Sequence, residues 1–176
     1  MSLPATIHTS VGQSLLGKIS RFFNNGVSDV LVEALQNSRR AGASRVEIDV
    51  VEADGRAILV IWDDGSGVDD PAKLVTLGDS GWDAAIAHRE DPAGMGVFSL
   101  AGRHVEIRSH ARGAAKGWRV VIPPEAWETG APLAIEPWMV DIGTEIRIDM
   151  PEAWRNDLAN AAANAARHYP FPVLFK

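Results

Sequence analysis

The sequence predicts an α+β fold, a two-layer sandwich in which a mixed, mostly antiparallel sheet is covered on one face by helices. Two observations lead to this prediction. Helical patterns come first along the chain and are followed by a run of strand patterns separated by turn residues. That order is typical of an α+β sandwich rather than of a parallel doubly wound sheet. With 176 residues, 46% of them hydrophobic, the chain can fill one core, so we assign residues 1–176 to a single domain.

Two amphipathic helices are predicted near the amino terminus. Val11 to Asn24 carries apolar residues at helical spacing, and so does Ser28 to Ala41. Ser28 is a suitable N-cap for the second helix. Gly42 suits the left-handed turn that ends it.

The strands are predicted from alternating and continuous apolar runs. Val46 to Val50 alternates with charged residues, Ala57 to Trp62 resembles a fully buried strand, and Asp54-Gly55 between them is a strong hairpin signal. A second antiparallel set comprises His104 to His110, Gly117 to Ile122, Leu133 to Glu136 and Thr144 to Ile148.

The remaining segments are a loop-rich stretch, a helix and an apolar tail. Residues 65–94 contain one short helix after Asp70-Pro71 and a glycine-rich run, which together could form a lid. Glu152 to His168 is alanine-rich and is predicted as a helix with Pro151 at its start. The tail, residues 169–176, is apolar and extended, so it should pack against something, and we expect the natural protein to continue beyond Lys176.

Composition excludes several classes of function. A formal charge of −6 does not favour unspecific attraction to nucleic acid phosphates. No cysteine is present, which excludes disulfides, thiol nucleophiles and thiolate metal sites. The five histidines are dispersed without zinc-ligand spacing, and no apolar run could span a bilayer. We therefore expect a soluble, cytoplasmic protein without a membrane partner.

Three polar residues share one edge of the second predicted helix. At about 100° per residue, Glu33, Asn37 and Arg40 fall within about 60° of one another beside the apolar arc. They can therefore face a pocket next to the core. Taken alone, a glutamate or an asparagine at such a position is more often a solvent-facing helix residue, and Arg40 can equally be a surface arginine.

A second polar group follows the buried strand. Asp63 emerges where Val60-Ile61-Trp62 ends, and Gly65 and Gly67 let the backbone turn tightly after it. The alternative is an ordinary Asp-Gly turn, for which Asp64-Gly65 would suffice.

These segments resemble the ATP-binding domain of the GHKL family, which comprises gyrase, the ninety-kilodalton heat-shock chaperone, histidine kinases and MutL. Four short motifs stand in the family's order across residues 7–175. Glu33-x-x-x-Asn37 resembles the first motif, and Asp63-x-Gly65-x-Gly67 the second. Gly94-Met95-Gly96 resembles the glycine loop of the chaperone, and Gly143-Thr144 the fourth motif. The versions in the chaperone and MutL are the most similar.

The resemblance implies ATP and Mg²⁺ as cofactors, bound in a Bergerat-type fold. Asn37 would supply an oxygen to the metal, and Glu33 would act as the general base for hydrolysis. Asp63 would accept a hydrogen bond from the exocyclic amino group of adenine. Guanine presents a carbonyl there, which favours adenine. Thr144 either donates toward a water at the base or is an ordinary strand threonine.

The glycine loop and Arg40 depart from the family pattern. Gly94, Met95 and Gly96 would present backbone amides to phosphate, although a simple turn explains Gly94 and Gly96 equally well. The chaperone and MutL usually have an aspartate where this chain has Arg40. Arg40 therefore either contacts the nucleotide, as a basic residue does in histidine kinases, or is a surface arginine.

Three functions are consistent with these residues. The first is a Mg²⁺-dependent ATPase domain that couples lid closure to a conformational or assembly change in a larger protein, with a downstream domain and a nucleotide-dependent dimer as its partners. The second is a kinase of the histidine-kinase or anti-sigma type. The third is a module that binds ATP or ADP without hydrolysing it.

Overall fold

A computed structural model describes residues 26–72 and 99–176 of the chain. Its described helices are α1 (Val27–Arg40), α2 (Ala126–Thr129) and α3 (Leu158–Ala166), together with a 3₁₀ turn at Glu152–Trp154. The strands are, in chain order, β1 (Val46–Ala53), β2 (Arg56–Asp63), β3 (Val105–His110), β4 (Gly117–Ile122), β5 (Ile135–Trp138), β6 (Gly143–Asp149) and β7 (Val173–Phe175). None of the helices in these two ranges has the length and apolar character that crossing a membrane requires.

The strands form one sheet in the order β5-β4-β3-β6-β2-β1-β7. Every neighbouring pair is antiparallel except β1 and β7, which are parallel. The predicted fold class, a mixed and mostly antiparallel sheet with helices on one face, is confirmed. The apolar tail is confirmed to pack, since β7 adds to the edge of the sheet beside β1.

The core lies between the sheet and the two longer helices. One cluster joins inward strand residues such as Ile48, Leu59 and Ile148, all fully buried, to Leu31 of α1 and Leu158 of α3. Burying such side chains contributes about 1.5–3 kcal/mol each, which is why the apolar stripes of the helices face the sheet. The opposite face carries paired charges, among them Glu106, Arg108, Arg119, Glu145 and Arg147.

Helix α1 differs from the prediction at its start. It begins at Val27 after Gly26, and no side chain caps it, so Ser28 lies inside the first turn and is not the N-cap. Val27 is 3% exposed, and its burial extends the helix one residue toward the amino terminus. The end of the helix agrees with the prediction, because Gly42 follows with a φ of 69°.

The helix predicted over Glu152 to His168 is shorter and interrupted. A 3₁₀ turn holds Trp154, whose ring is buried and stacks 4.3 Å from the guanidinium of Arg103. Asp157 then starts α3 as its N-cap residue. The side chain of Asp157 makes no capping hydrogen bond, and the segment is divided by the 3₁₀ turn that precedes it.

Strand β5 is displaced by two residues from the predicted Leu133 to Glu136. It includes Pro137, which is tolerated because β5 lies at the edge of the sheet and needs no further donor there. The hairpin at Asp54-Gly55 is confirmed, with positive φ at both residues. The predicted helix over Val11 to Asn24, the short helix after Asp70-Pro71 and the lid lie wholly or largely outside the described residues.

Candidate functional site

The last residue of β2, Asp63, carries a buried carboxylate. Its side chain faces the same side of the sheet as the core residues of β2, and the residue is 9% exposed. The hydroxyl of Ser38 donates to Oδ2 at 3.0 Å, and the amide of Gly65 donates to Oδ1 at 2.9 Å. Helix α1 therefore packs directly against this carboxylate.

Burial raises the pKa of Asp63, and this exceeds the opposing effect of hydrogen bonds from the amide of Gly65, the hydroxyl of Ser38 and the backbone of Thr144. A carboxylate has about four acceptor positions, so these three donors leave capacity for one more. The group can therefore accept a hydrogen bond from a ligand.

The neighbouring Asp64 stabilises a turn. Its carboxylate accepts hydrogen bonds from the backbone amides of Ser44 and Arg45 at 2.7 and 2.9 Å, and so fixes the turn that joins α1 to β1. Burial alone would raise the pKa of Asp64, but the hydrogen bonds from Ser44 and Arg45 outweigh it and the pKa is lowered. The sequence alternative of an ordinary turn at Asp64-Gly65 therefore applies to Asp64, whereas the side chain of Asp63 points toward the core.

The loop after Asp63 is fastened to the ends of β3 and β4. Gly67 has a φ of 69°, and a Cβ there would overlap the carbonyl oxygen of His110, so the two backbones touch. The amide of Val68 donates to Ser109 Oγ at 2.9 Å, and Trp118 Nε1 donates to the carbonyl of Val68. These contacts hold the loop residues Gly67 and Val68 in place next to the end of β2 that carries Asp63.

Thr144 lies opposite Asp63 in the antiparallel pairing of β2 and β6. Its hydroxyl is 3.0 Å from that of Ser109, which is fully buried and also donates to the carbonyl of Gly143. Asp63, Thr144 and Ser109 thus stand side by side on three adjacent strands.

The polar row of α1 borders a cavity. The cavity is open to solvent, and the space in it that the centre of a water molecule can occupy is about 20 Å³. Its described lining combines the polar residues Glu33, Asn37 and Ser99 with the apolar residues Val30, Ala34, Ile61, Leu100, Ile146 and Ile148. Ile61 precedes Asp63 by two residues and Ile146 follows Thr144 by two, so cavity and carboxylate lie along the same face of the sheet. Asp63 itself is not part of that lining.

The third residue of the row, Arg40, contacts the other two. Its Nη1 donates to Asn37 Oδ1 at 3.1 Å and lies 3.8 Å from Glu33 Oε1. The side chain of Arg40 is 9% exposed, which excludes the surface-arginine interpretation.

Metal ligands in this region are few. No group of three or more His, Asp or Glu side chains in residues 26–72 and 99–176 is arranged to hold a metal ion. Mg²⁺ commonly uses one or two protein oxygens and completes its shell with water and phosphate, so the carboxamide oxygen of Asn37 fits such an ion. The guanidinium of Arg40 already contacts Asn37.

The predicted site residues divide into two groups. In the described ranges, Glu33 and Asn37 line the cavity and Arg40 contacts both, whereas Asp63, Gly65, Gly67 and Thr144 lie at the adjoining ends of β2 and β6 and in the loop after β2, outside that lining. Gly94, Met95 and Gly96 lie outside the described residues, and their contact with phosphate stays a prediction.

Sequence reasoning missed two serines. Ser38 and Ser109 are 2% and 0% exposed and hold Asp63 and Thr144 respectively. A signal existed, since each occupies an inward position of its element where apolar residues precede it. A polar residue on a buried stripe points to a buried hydrogen-bond network.

The class of fold follows from this geometry and from comparison with known structures. The chain shares its α+β sandwich fold with a solved ATPase domain. The Aquifex aeolicus MutL ATPase domain complexed with ADP is similar to this chain, with a TM-score of 0.55 and 17% sequence identity over 84% of this chain. The match spans 59% of that MutL chain. No family model and no curated protein sequence matches the chain.

The raised pKa of Asp63 predicts how stability depends on pH. Because the folded-state pKa lies above the unfolded value of 3.8, the folded protein binds the proton more tightly. The stability that the Asp63 carboxyl contributes is fully present below the unfolded pKa of 3.8 and is lost as the pH rises through the folded pKa. Asp63→Asn should therefore be more stable than the parent near pH 8, by about 1.4 kcal/mol for each tenfold difference in proton affinity between the two states.

Urea unfolding of both proteins between pH 4 and 8 measures this effect. Asparagine fits the site. Its side-chain oxygen can accept the hydrogen bond from the Gly65 amide, and its side-chain NH₂ can donate to Ser38 Oγ. The Ser38 hydroxyl can then donate to the carbonyl of Ala34, 3.0 Å away. Asp54→Asn is the control, because it removes the same charge in the exposed hairpin turn at the far end of β2. Its unfolding free energy should depend on pH in the same way as that of the parent. If the stability advantage of Asp63→Asn over the parent becomes smaller as the pH rises, the prediction is wrong.

Proposed function

We propose that the chain is an ATP-binding domain that hydrolyses ATP with Mg²⁺. The observation that carries the proposal is the buried carboxylate of Asp63 at the end of β2, next to a cavity bordered by Glu33 and Asn37. The MutL domain that shares the fold was solved with ADP, which supports a nucleotide as the ligand.

Base recognition would rest on Asp63. An acceptor buried among fixed donors discriminates strongly, because a mismatched partner leaves a buried group unpaired at a cost of about 1–3 kcal/mol. Adenine offers an amino group to such an acceptor, whereas guanine offers a carbonyl. Thr144, beside Asp63 in the sheet, can hold a water against the same edge of the base. The apolar neighbours Ile61 and Ile146 would pack against the ring.

Hydrolysis would rest on Glu33. Its side chain is 32% exposed at the edge of the cavity, one helical turn from Asn37, where a carboxylate can accept a proton from an attacking water. Asn37 would hold Mg²⁺ through its amide oxygen, and the ion would offset phosphate charge. In the structure, Arg40 contacts both side chains.

The wider cycle is proposed from the same resemblance. Residues 78–93 would close over the nucleotide, with Gly94, Met95 and Gly96 against the phosphates. Closure would be coupled to a downstream domain of the same protein or to a nucleotide-dependent dimer.

One observation favours a second candidate, a module that binds nucleotide without hydrolysing it. Arg40 lies 3.8 Å from Glu33 Oε1, so the carboxylate that would have to receive a proton from water already faces a guanidinium. In such a module, nucleotide occupancy would alter only the lid and a partner surface.

Calorimetric titration of ADP and GDP into the parent and Asp63→Asn tests base recognition. The parent should prefer ADP, and Asp63→Asn should bind ADP about 5- to 150-fold more weakly, which corresponds to about 1–3 kcal/mol. The asparagine amide has a second hydrogen that can face the base, so the preference over GDP should shrink as well.

Asp54→Asn is the matched control and should bind ADP like the parent. Equal ADP affinity in the parent and Asp63→Asn would exclude Asp63 as the base-recognition residue. Absence of ADP and ATP binding by the parent would overturn the proposed function as a whole.

A further inference from the structure

Arg40 occupies the position between the two groups on which metal binding and hydrolysis would depend. Glu33, Asn37 and Arg40 are spaced by four and three residues, so α1 presents them in one row. The guanidinium reaches back along this row, with Nη1 at 3.1 Å from Asn37 Oδ1 and 3.8 Å from Glu33 Oε1. It therefore contacts the one oxygen that Asn37 can offer to a metal.

The positive charge of Arg40 is permanent and well supported. A guanidinium is not deprotonated in proteins, and Arg40 is the last residue of α1, where the helix dipole favours a cation. Its side chain is 9% exposed, so solvent screens the charge poorly. A cation thus contacts two polar residues of the cavity lining, Asn37 and Glu33, before any nucleotide arrives.

We infer that Arg40 is a resident cation that competes with Mg²⁺ for the carboxamide oxygen of Asn37. Two cations at one amide oxygen in a poorly screened corner repel each other, so loading of the metal requires the guanidinium to withdraw. This inference rests on the proposed function.

The competition gives the site a form of regulation. Without a magnesium nucleotide, Arg40 holds Asn37 and is paired with Glu33, so the proposed ligand and the proposed base are both engaged. With the nucleotide bound, withdrawal of Arg40 releases both groups together. Arg40 would therefore set the magnesium concentration at which the domain becomes active.

The test is to measure the affinity of the full chain for ADP by calorimetric titration at a series of free Mg²⁺ concentrations. The Mg²⁺ concentration at which the ADP affinity is halfway between its limits is the midpoint that the variants are compared by. For Arg40→Met, which keeps length and apolar stem but removes the cation, the midpoint should fall about tenfold, the equivalent of one charge-assisted hydrogen bond. Association of Mg²⁺ with ADP in solution is the same for every variant, so the difference reports the protein.

Two variants control for charge and for side-chain loss. Arg39→Met removes a cation from the same last turn at an exposed position and should leave the midpoint unchanged. Arg40→Lys retains a cation and should remain closer to the parent than Arg40→Met does.

The outcomes separate this inference from the function on which it rests. ADP binding with an unchanged midpoint in Arg40→Met would overturn the inference alone. A higher midpoint would also overturn it and would assign Arg40 to the phosphates. A parent that binds no ADP at any magnesium concentration would overturn the proposed function and the inference with it.

Discussion

Glu33→Gln is expected to hydrolyse ATP about 10²–10⁴ times more slowly than the parent, because the amide cannot accept a proton from water. Glutamine has the same size and can still face Arg40, so the position of the side chain should be retained. ADP affinity should change little, since Glu33 is not among the groups proposed to hold the base. Single-turnover phosphate release, with affinity measured in parallel, separates the chemical step from binding.

Glu128→Gln is the control for this variant, because Glu128 lies exposed on the short helix α2, away from α1. Equal hydrolysis by the parent and Glu33→Gln would exclude Glu33 as the base. If the parent binds ATP and releases no phosphate, the non-hydrolysing module becomes the better description of the domain.

Gly143→Ala is expected to destabilise the fold by about 3–5 kcal/mol, near the upper end for single substitutions. Gly143 begins β6 with a φ of 126°, which strains any L side chain. A Cβ there would also overlap the carbonyl oxygen of Asp63 and lie 3.1 Å from the Cα of Asp64. These are backbone atoms, so no side-chain rotation relieves the contact, and the end of β2 must move.

Thermal unfolding measures this effect, and a loss of 3 kcal/mol corresponds to roughly 6–12 °C in a domain of this size. Gly113→Ala separates strain from contact, because Gly113 has a φ of 89° but open space around its Cβ position. That control should lose only about 1–2 kcal/mol. Equal losses in the two variants would show that the close approach of β6 to Asp63 has no energetic consequence.

Predictions that depended on local periodicity agree well with the structure. Strand β4 spans the predicted residues 117–122, and α1 differs by one residue at each end from the predicted 28–41. The errors occur where tertiary packing overrides the local pattern, as at Trp154, which is buried against Arg103 and helps interrupt the helix predicted there. Pro137 likewise extends β5 because the strand lies at an edge, a position that no local pattern reveals.

The sequence by itself determined the fold class, through the order of its helical and strand patterns. It also determined the polar row of α1 and the placement of Asp63 at the end of a buried strand, because each of these two features depends on residues within one element. Only the tertiary structure decided which of these groups meet. Ser38 reaches Asp63 across 25 positions of the chain and Ser109 reaches Thr144 across 35, through the sheet order β3-β6-β2. The position of the Arg40 guanidinium against Asn37 also required coordinates, since helical spacing fixes which side chains are neighbours but not which way a long side chain turns.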